Sequence, residues 1–154
     1  MNAFIYGLKL KFSKISHVSP SELEEKIKQK EKVAILDVRN GDERKISHIP
    51  GSVHFDDGCF EDKDELKSKF LNLTKDHNTV VAYCSIGYRS SRLLSEVSSF
   101  VGKDVKLYNL EGGIFKWATE NRTLVDGDNK NTTFVHPYNK IFEKLNGSKF
   151  TKYE

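Results

Sequence analysis

Two uninterrupted apolar runs constrain the fold of this chain more than any other feature. Residues 32–38 and 79–83 each contain a central stretch of Val, Ala, Ile or Leu in which apolar and polar side chains do not alternate. Such runs are typical of strands that are buried on both faces, as in a parallel sheet. Residues 105–110 and 52–55 are further candidate strands, and residues 14–18 are a candidate edge strand.

Segments with helical periodicity lie between these predicted strands. One begins at Ser19, where Glu22 stands at the spacing of a capping box, and it carries Leu23 and Ile27 on one face. Others are predicted over residues 62–73, over residues 90–101 and from residue 112 onward. Strands that alternate with helices predict βαβ units. We therefore predict an α/β domain in which helices flank both faces of a central, mostly parallel five-stranded sheet.

The 154 residues are enough for one domain, which we place at residues 16–120. Residues 1–15 are predicted to be an N-terminal extension, with organelle targeting as the alternative, and residues 121–154 a C-terminal linker and short helix. A net charge of +3 is too small to indicate a nucleic-acid partner. No apolar run approaches the roughly 18 residues of a membrane span. We expect a cytoplasmic monomer.

Cysteine usage excludes two classes of small protein. Cys59 and Cys84 are too few for a disulfide scaffold, and no Cys/His cluster has the spacing of a metal site. A reducing compartment follows from this usage. No metal and no cofactor are predicted.

The segment from Cys84 to Ser90 carries the strongest chemical signal. Cys84 ends a predicted buried strand, and a helix begins a few residues later. Unpaired N–H groups at a helix N-terminus favour a thiolate over a thiol and can bind an anion. Gly87 allows the loop to curl around the sulfur, and Arg89 adds positive charge beside it. Cys84 is thus the candidate nucleophile, and the predicted substrate-binding residues of the loop are Ser85, Ile86, Gly87, Tyr88, Arg89 and Ser90.

These residues resemble the active-site loop of the rhodanese family, which often reads C-x-x-G-x-R-S. Three other segments resemble further motifs of that family in the same order. They are Leu36-Asp37-Val38-Arg39, Glu43 followed by His48-Ile49-Pro50-Gly51-Ser52, and Leu110-Glu111-Gly112-Gly113 leading to Trp117. The resemblance covers about residues 16–118, and one departure is Ser47, where the family usually has glycine. Four motifs in the right order make a chance match improbable.

The resemblance implies a rhodanese-like fold and a sulfurtransferase activity. In that family the loop cysteine takes sulfane sulfur from a donor such as thiosulfate, holds it as a persulfide and passes it to cyanide or a thiol. Cys84 matches this nucleophile, and Arg89 would attract the anionic donor and stabilise the departing sulfite. The implied partners are these small molecules, with a protein persulfide as another possible donor.

Four residues outside the loop have weaker signals. Asp37 and Arg39 lie two apart on one strand face and are predicted to support the loop through ion pairs. Arg44 is predicted to gather anions at the mouth of the pocket, or else to be a solvated surface charge. Cys59 is a candidate for resolving the persulfide as a disulfide, although its acidic neighbours disfavour a thiolate.

Two alternative functions stay open. Phosphatases and arsenate reductases of the same fold use a C-x(5)-R loop, whereas Cys84 and Arg89 give C-x(4)-R, a loop one residue shorter. Some rhodanese-like domains are non-enzymatic interaction or sulfur-carrier modules, and the intact cysteine argues against loss of chemistry without excluding a partner-facing role.

Overall fold

The computed structural model describes residues 1–56, 61–146 and 151–154. Its centre is a five-stranded sheet in the order β1-β5-β4-β2-β3, and every neighbouring pair is parallel. The predicted α/β architecture is therefore confirmed. The strands are β1 (Ser16–Val18), β2 (Val33–Asp37), β3 (Val53–His54), β4 (Thr79–Tyr83) and β5 (Lys106–Leu110).

Alternation along the central strands divides the core between the two faces of the sheet. On one face Ile35, Val81 and Tyr83 pack with Leu23, Ile114 and Trp117. On the other face Leu36, Val80 and Ala82 pack with Phe70, Leu93 and Leu94. Since both faces bury apolar side chains, β2 and β4 need no polar face. This explains their uninterrupted apolar runs.

Helices cover both faces, as predicted. Their bounds are α1 (Asn2–Lys11), α2 (Pro20–Lys28), α3 (Gly41–Ile46), α4 (Lys63–Thr74), α5 (Tyr88–Val97), α6 (Gly113–Thr119) and α7 (Lys140–Asn146). The capping box of Ser19 and Glu22 starts α2, and Asp62 caps α4. One detail of the prediction is wrong. Ile27 does not share the buried face of Leu23, because its side chain is 40% exposed.

The segments at the two ends of the chain pack against the domain. The helix α1 is longer than a single amphipathic turn and buries Ile5 and Leu8. Part of the segment predicted as a C-terminal linker instead forms the antiparallel strands β6 (Leu124–Val125) and β7 (Asn131–Thr132), which residues 126–130 connect. His48 bridges to Val125 and ties this hairpin to the domain. No helix in the described part of the chain is long and apolar enough to cross a membrane.

Candidate active site

Cys84 follows the carboxyl end of β4, the strand that lies between β5 and β2 in the sheet. Its side chain is 2% exposed. The backbone N–H of Gly87 donates to Cys84 Sγ at 3.1 Å, and the Ser90 hydroxyl lies 3.6 Å from the same sulfur. Both donors belong to the turn that opens α5. The partial positive charge of that helix end therefore favours a thiolate or another anionic sulfur at this position.

The turn depends on Gly87, which caps α5 with a φ of +119°. A Cβ atom at this residue would lie 2.9 Å from the side-chain nitrogen of Asn109 and 3.5 Å from Leu8. Both the backbone conformation and the lack of space therefore require glycine. This is the physical reason for the glycine in the loop pattern.

The turn that opens α6 holds the backbone at the start of the loop. The N–H of Ile114 donates to Cys84 O at 3.0 Å, and that of Phe115 donates to Ser85 O at 3.1 Å. A Cβ atom on Gly113 would lie 2.5 Å from both of those carbonyl oxygens. Gly112, which caps α6, and Gly113, the first residue of that helix, thus let its N-terminus approach the loop and fix the loop backbone.

Arg89 is held by a buried carboxylate that the sequence analysis gave no role. Its guanidinium donates to Glu43 Oε2 at 2.9 Å and to Oε1 at 2.7 Å, and the Ser85 hydroxyl donates to Oε1 at 3.2 Å. Burial alone would raise the pKa of Glu43, but the hydrogen bonds and charge of Arg89 outweigh it and lower that pKa. The positive charge predicted beside the sulfur is therefore paired with a carboxylate.

A signal for Glu43 is present in the sequence. Asn40 and Glu43 have the spacing of a capping box, and they form one at the start of α3. The capping pattern predicts a helix start, but it does not predict that this glutamate reaches a loop 46 residues away. Only the sheet order, which brings the ends of β2 and β4 together, supplies that contact.

A second network lies beside the first. Arg39 donates to Asp37 Oδ1 at 2.9 Å and to Oδ2 at 2.8 Å, and Tyr83 OH donates to the same Oδ2 at 2.9 Å. Burial would raise the pKa of Asp37, but the charge and hydrogen bonds of Arg39 lower it. Arg44 donates to Asp37 at 3.2 Å and to Ser52 O at 2.7 Å. Arg44 thus points into this network and, at 19% exposed, is not a solvated surface charge. Its role of gathering anions at the mouth of the pocket stays a prediction.

The part of the site nearest β1 is a chain of polar side chains. Ser90 Oγ donates to Asn109 Oδ1 at 2.5 Å, and the Asn109 amide nitrogen lies 3.3 Å from His17 Nδ1. Ser90 and Asn109 are both buried. Asn109 and His17 had no predicted role, because their signal is the strand pairing, which a single sequence does not display.

Residues from both ends of the chain cover the loop. Phe12 meets the Tyr88 ring edge-on at 5.7 Å, and Leu8 of the same N-terminal segment lies next to Gly87. From the other end, the Tyr138 ring lies 4.4 Å from the guanidinium carbon of Arg89. These contacts account for the burial of Cys84 beneath segments that the motif analysis left outside the domain.

Three of the loop residues predicted to bind substrate differ in exposure. Tyr88 is 43% exposed, whereas Ser85 and Ile86 are buried at 2% and 3%. Ser85 turns toward Glu43 and Arg89 instead. Cys59 lies outside the described residues. Within the described part of the chain, no group of three or more His, Cys, Asp or Glu side chains is placed to hold a metal ion.

Comparison with known proteins agrees with this geometry. The model of a family described as the rhodanese-like domain matches residues 19–120. The crystal structure of a rhodanese-related protein from Thermoplasma volcanium superimposes with a TM-score of 0.57 at 25% identity, covering 71% of this chain and 97% of that one.

Curated relatives carry several kinds of name. A tRNA uridine(34) hydroxylase of Chlamydia caviae is 33% identical over 105 residues, covering 66% of this chain and 30% of that protein. YtwF of Bacillus subtilis, named as a candidate sulfurtransferase, is 30% identical over 108 residues, covering 70% of this chain and 95% of YtwF. The dual specificity phosphatase Cdc25 of Arabidopsis thaliana is 32% identical over 72 residues, or 47% of each chain. This chain spans less than a third of the length of the first relatives it matches.

Proposed function

This chain belongs to the rhodanese-like domain family, and we propose that it is a sulfurtransferase that carries sulfane sulfur on Cys84. The observation that carries the proposal is the position of Cys84 Sγ. It lies at the carboxyl end of a central parallel strand and accepts the backbone N–H of Gly87 at 3.1 Å. Ligand sites of parallel α/β folds lie at this edge of the sheet.

In the first step the Cys84 thiolate attacks the sulfane sulfur of an anionic donor such as thiosulfate. A bond forms between Sγ and that sulfur, and the S–S bond of thiosulfate breaks. Sulfite leaves with the bonding electron pair, so no proton, metal or external oxidant is required.

In the second step the acceptor attacks the outer sulfur of the persulfide. Cyanide gives thiocyanate and a thiolate gives a new persulfide, and in both cases Cys84 leaves as the thiolate. The site holds a negative charge before and after each step, on Sγ in the thiolate and on the outer sulfur in the persulfide. The Gly87 N–H, the Ser90 hydroxyl and the N-terminus of α5 are therefore suited to both steps.

Arg89 is proposed to guide the anionic donor to the loop. Its guanidinium is 15% exposed, and its charge is shared with Glu43. The pair has no net charge, so the N–H groups at the start of α5 supply the remaining attraction for a small anion that must arrive and whose product must depart. The paired carboxylate also keeps Arg89 in place without a bound substrate.

Phosphoryl chemistry, the alternative that the Arabidopsis relative brings to mind, fits this loop less well. A phosphate ester needs N–H donors for three oxygens and a bidentate arginine. Here both terminal nitrogens of Arg89 already donate to Glu43, so they are not placed to bind a phosphate group in bidentate fashion. The loop is one residue shorter than C-x(5)-R, which favours a single outer sulfur over a phosphate group.

The test compares the wild type with Cys84→Ser and Cys84→Ala. Each is incubated with thiosulfate alone for intact-mass analysis, then with thiosulfate and cyanide for thiocyanate production. We expect the wild type to gain the mass of one sulfur atom and to produce thiocyanate, and both variants to do neither.

Arg92, one turn after Arg89 on α5, provides a matched control. Arg92→Ala removes an equal charge from the same helix and is expected to keep sulfur transfer. Thiocyanate production by Cys84→Ala at the wild-type rate would refute the proposal. A stable one-sulfur adduct without thiocyanate would refute cyanide as the acceptor and leave Cys84 as a carrier whose acceptor is a thiol or a protein.

A further inference from the structure

A continuous chain of polar side chains leads from Cys84 to the edge strand of the sheet. Ser90 Oγ is 3.6 Å from Cys84 Sγ and 2.5 Å from Asn109 Oδ1, and Asn109 Nδ2 is 3.3 Å from His17 Nδ1. His17 and Asn109 are register partners in the parallel pair of β1 and β5. The backbone pairing therefore fixes the last link, and the distance from β1 to the sulfur is spanned by two side chains.

The Ser90 hydroxyl stands between two acceptors. It has one proton and can donate either to Cys84 Sγ or to an oxygen of Asn109, but not fully to both. When Cys84 is a thiolate, donation to the sulfur stabilises its negative charge. An acceptor atom of the Asn109 amide therefore competes with the sulfur for that proton.

The orientation of the Asn109 amide decides this competition. With Oδ1 toward Ser90, the amide takes the hydroxyl proton away from the sulfur. With the amide turned over, Nδ2 donates to Ser90 Oγ and the hydroxyl proton is left for Cys84 Sγ. Oxygen and nitrogen occupy nearly the same positions in the two orientations, so the hydrogen-bond network selects between them.

His17 is placed to make that selection. Its Nε2 is buried and, among the described residues, has no hydrogen-bond partner. A buried N–H without an acceptor is more costly than a buried lone pair without a donor. The neutral ring is therefore more stable with its proton on Nδ1, where it points at the Asn109 amide.

We propose that His17 is a positioning residue of the sulfur site: when Cys84 is a thiolate, the Nδ1–H of His17 turns the Asn109 amide over from the orientation in the structure, where Oδ1 faces Ser90. Nδ2 then donates to Ser90, and the Ser90 hydroxyl donates to Cys84 Sγ. The inference rests on the proposed role of Cys84 as the sulfur carrier. Through Asn109 and Ser90, a residue of the edge strand β1 stabilises the thiolate without touching Cys84.

The surroundings of His17 keep the ring neutral, so the ring carries a single proton, on either Nδ1 or Nε2. Burial and the charge of Lys9 lower the pKa of His17, and Glu111 opposes them. Lys9 and Glu111 pair with each other at 2.5 Å. From α2, Glu22, Glu25 and Lys26 line the groove beside the ring.

The first test reads the tautomer of His17 directly in the wild type. A long-range proton–nitrogen correlation spectrum at neutral pH distinguishes a protonated Nδ1 from a protonated Nε2. We expect the proton on Nδ1. A ring that carries its proton on Nε2 would overturn the proposal, because such a ring can only accept from Asn109.

The second test measures the thiolate through the rate at which iodoacetamide alkylates Cys84 across a pH series. His17→Ala is expected to move the midpoint of that curve upward by about half a unit to one unit, since one hydrogen bond to the sulfur is weakened. His17→Asn keeps an N–H close to the position of Nδ1 and is expected to restore the midpoint.

His77→Ala is the matched control. Among the described residues His77 also has a buried ring nitrogen, Nδ1, without a hydrogen-bond partner. It precedes β4, however, and so lies at the amino end of that strand, whereas Cys84 lies at its carboxyl end. We expect it to leave the midpoint unchanged. Equal midpoints in the wild type and His17→Ala would overturn the proposal, and so would a shift in His17→Ala that His17→Asn does not reverse.

Neither measurement uses a sulfur donor, so the two ideas fail separately. Loss of the predicted tautomer or midpoint shift in a protein that transfers sulfur refutes the role of His17 alone. The tautomer and the shift in a protein that forms no persulfide refute the sulfurtransferase proposal alone. When both hold, His17→Ala should also slow sulfur transfer at neutral pH by about three- to tenfold.

Discussion

Two arginines of this chain, Arg39 and Arg89, each clasp a carboxylate with two N–H donors, yet the two pairs differ in surroundings. Arg39 and Asp37 are both 0% exposed, whereas Arg89 is 15% exposed above a fully buried Glu43. Arg39 also donates to Ser47 O at 2.7 Å, and Arg89 instead lies against the ring of Tyr138.

The difference in exposure changes what each pair can do. The Arg39 charge has no route to water, so it depends on Asp37, on backbone oxygen and on the ring of Tyr83, whose centroid is 5.5 Å from its guanidinium carbon. Among the described residues its Nη1 has no hydrogen-bond partner, so no additional acceptor is in place to compensate for a hydrogen bond that is lost. Arg89 can turn toward solvent if its carboxylate is lost. The first pair is therefore a structural element, and the second is a charge that can be adjusted at the site.

The largest expected effect comes from breaking the fully buried pair. Asp37→Asn keeps the shape of the side chain but leaves the Arg39 guanidinium in the core without a counter-charge. We expect a loss of about 3–5 kcal/mol in the free energy of unfolding, measured by urea denaturation at neutral pH. A loss below about 1 kcal/mol would show that Arg39 is satisfied by neutral acceptors and would remove the contrast between the pairs.

The same comparison has a definite pH dependence. The folded-state pKa of Asp37 lies below its ordinary value, so its contribution is fully present above the unfolded-state pKa near 4. That contribution is lost as the pH falls through the folded-state pKa. The difference in stability between the wild type and Asp37→Asn should therefore be constant at neutral pH and shrink in strong acid.

A smaller effect on stability, but a larger one on the site, is expected from Glu43→Gln. The amide still fits the capping position, and Arg89 is free to turn outward, so the cost should be about 2 kcal/mol. The loop gains one net positive charge, which should lower the KM for thiosulfate by about two- to fivefold at low ionic strength. Steady-state kinetics at several thiosulfate concentrations measures this change.

Glu22→Gln separates the electrostatic effect from the loss of a helix cap. Glu22 occupies the same capping position on α2 and is exposed, and its carboxylate accepts from the backbone N–H of Ser19. We expect it to leave the KM unchanged. A higher KM in Glu43→Gln would contradict the picture of an adjustable charge and would mean that Arg89 must be held by Glu43 to meet the donor.

The two pairs also differ in how far the sequence predicts them. Asp37 and Arg39 are two residues apart, so the two-residue repeat of a strand already places them on one side. Their ion pair is a local consequence of the sequence. Glu43 and Arg89 are 46 residues apart, and their meeting depends on β2 and β4 being neighbours, which periodicity alone does not give.

The same distinction applies to the rest of the site. The buried strands, the Gly87 turn and the position of Cys84 follow from short-range patterns that are readable in the sequence. The link from His17 to Asn109 needs the β1–β5 register, and the covering of the loop needs the packing of both chain ends. Apolar residues at the N-terminus indicate a helix face, but they do not identify the surface that the face will contact.

The smallest effect is expected where Tyr138 touches the second pair. Tyr138→Ala removes the ring from the Arg89 guanidinium, and a cation–π contact at a half-exposed ring contributes about 0.5–1 kcal/mol. Alanine is preferable to glycine, because the φ of +66° at this residue would relax in glycine and mask the loss. Tyr153→Ala is the control, since that ring is equally exposed but lies on His136. Tyr138→Ala is measured in the wild type and in Glu43→Gln. If it lowers the urea midpoint only in the wild type, the ring acts through the paired arginine. Equal losses in both proteins would mean that the ring packs independently of the pair.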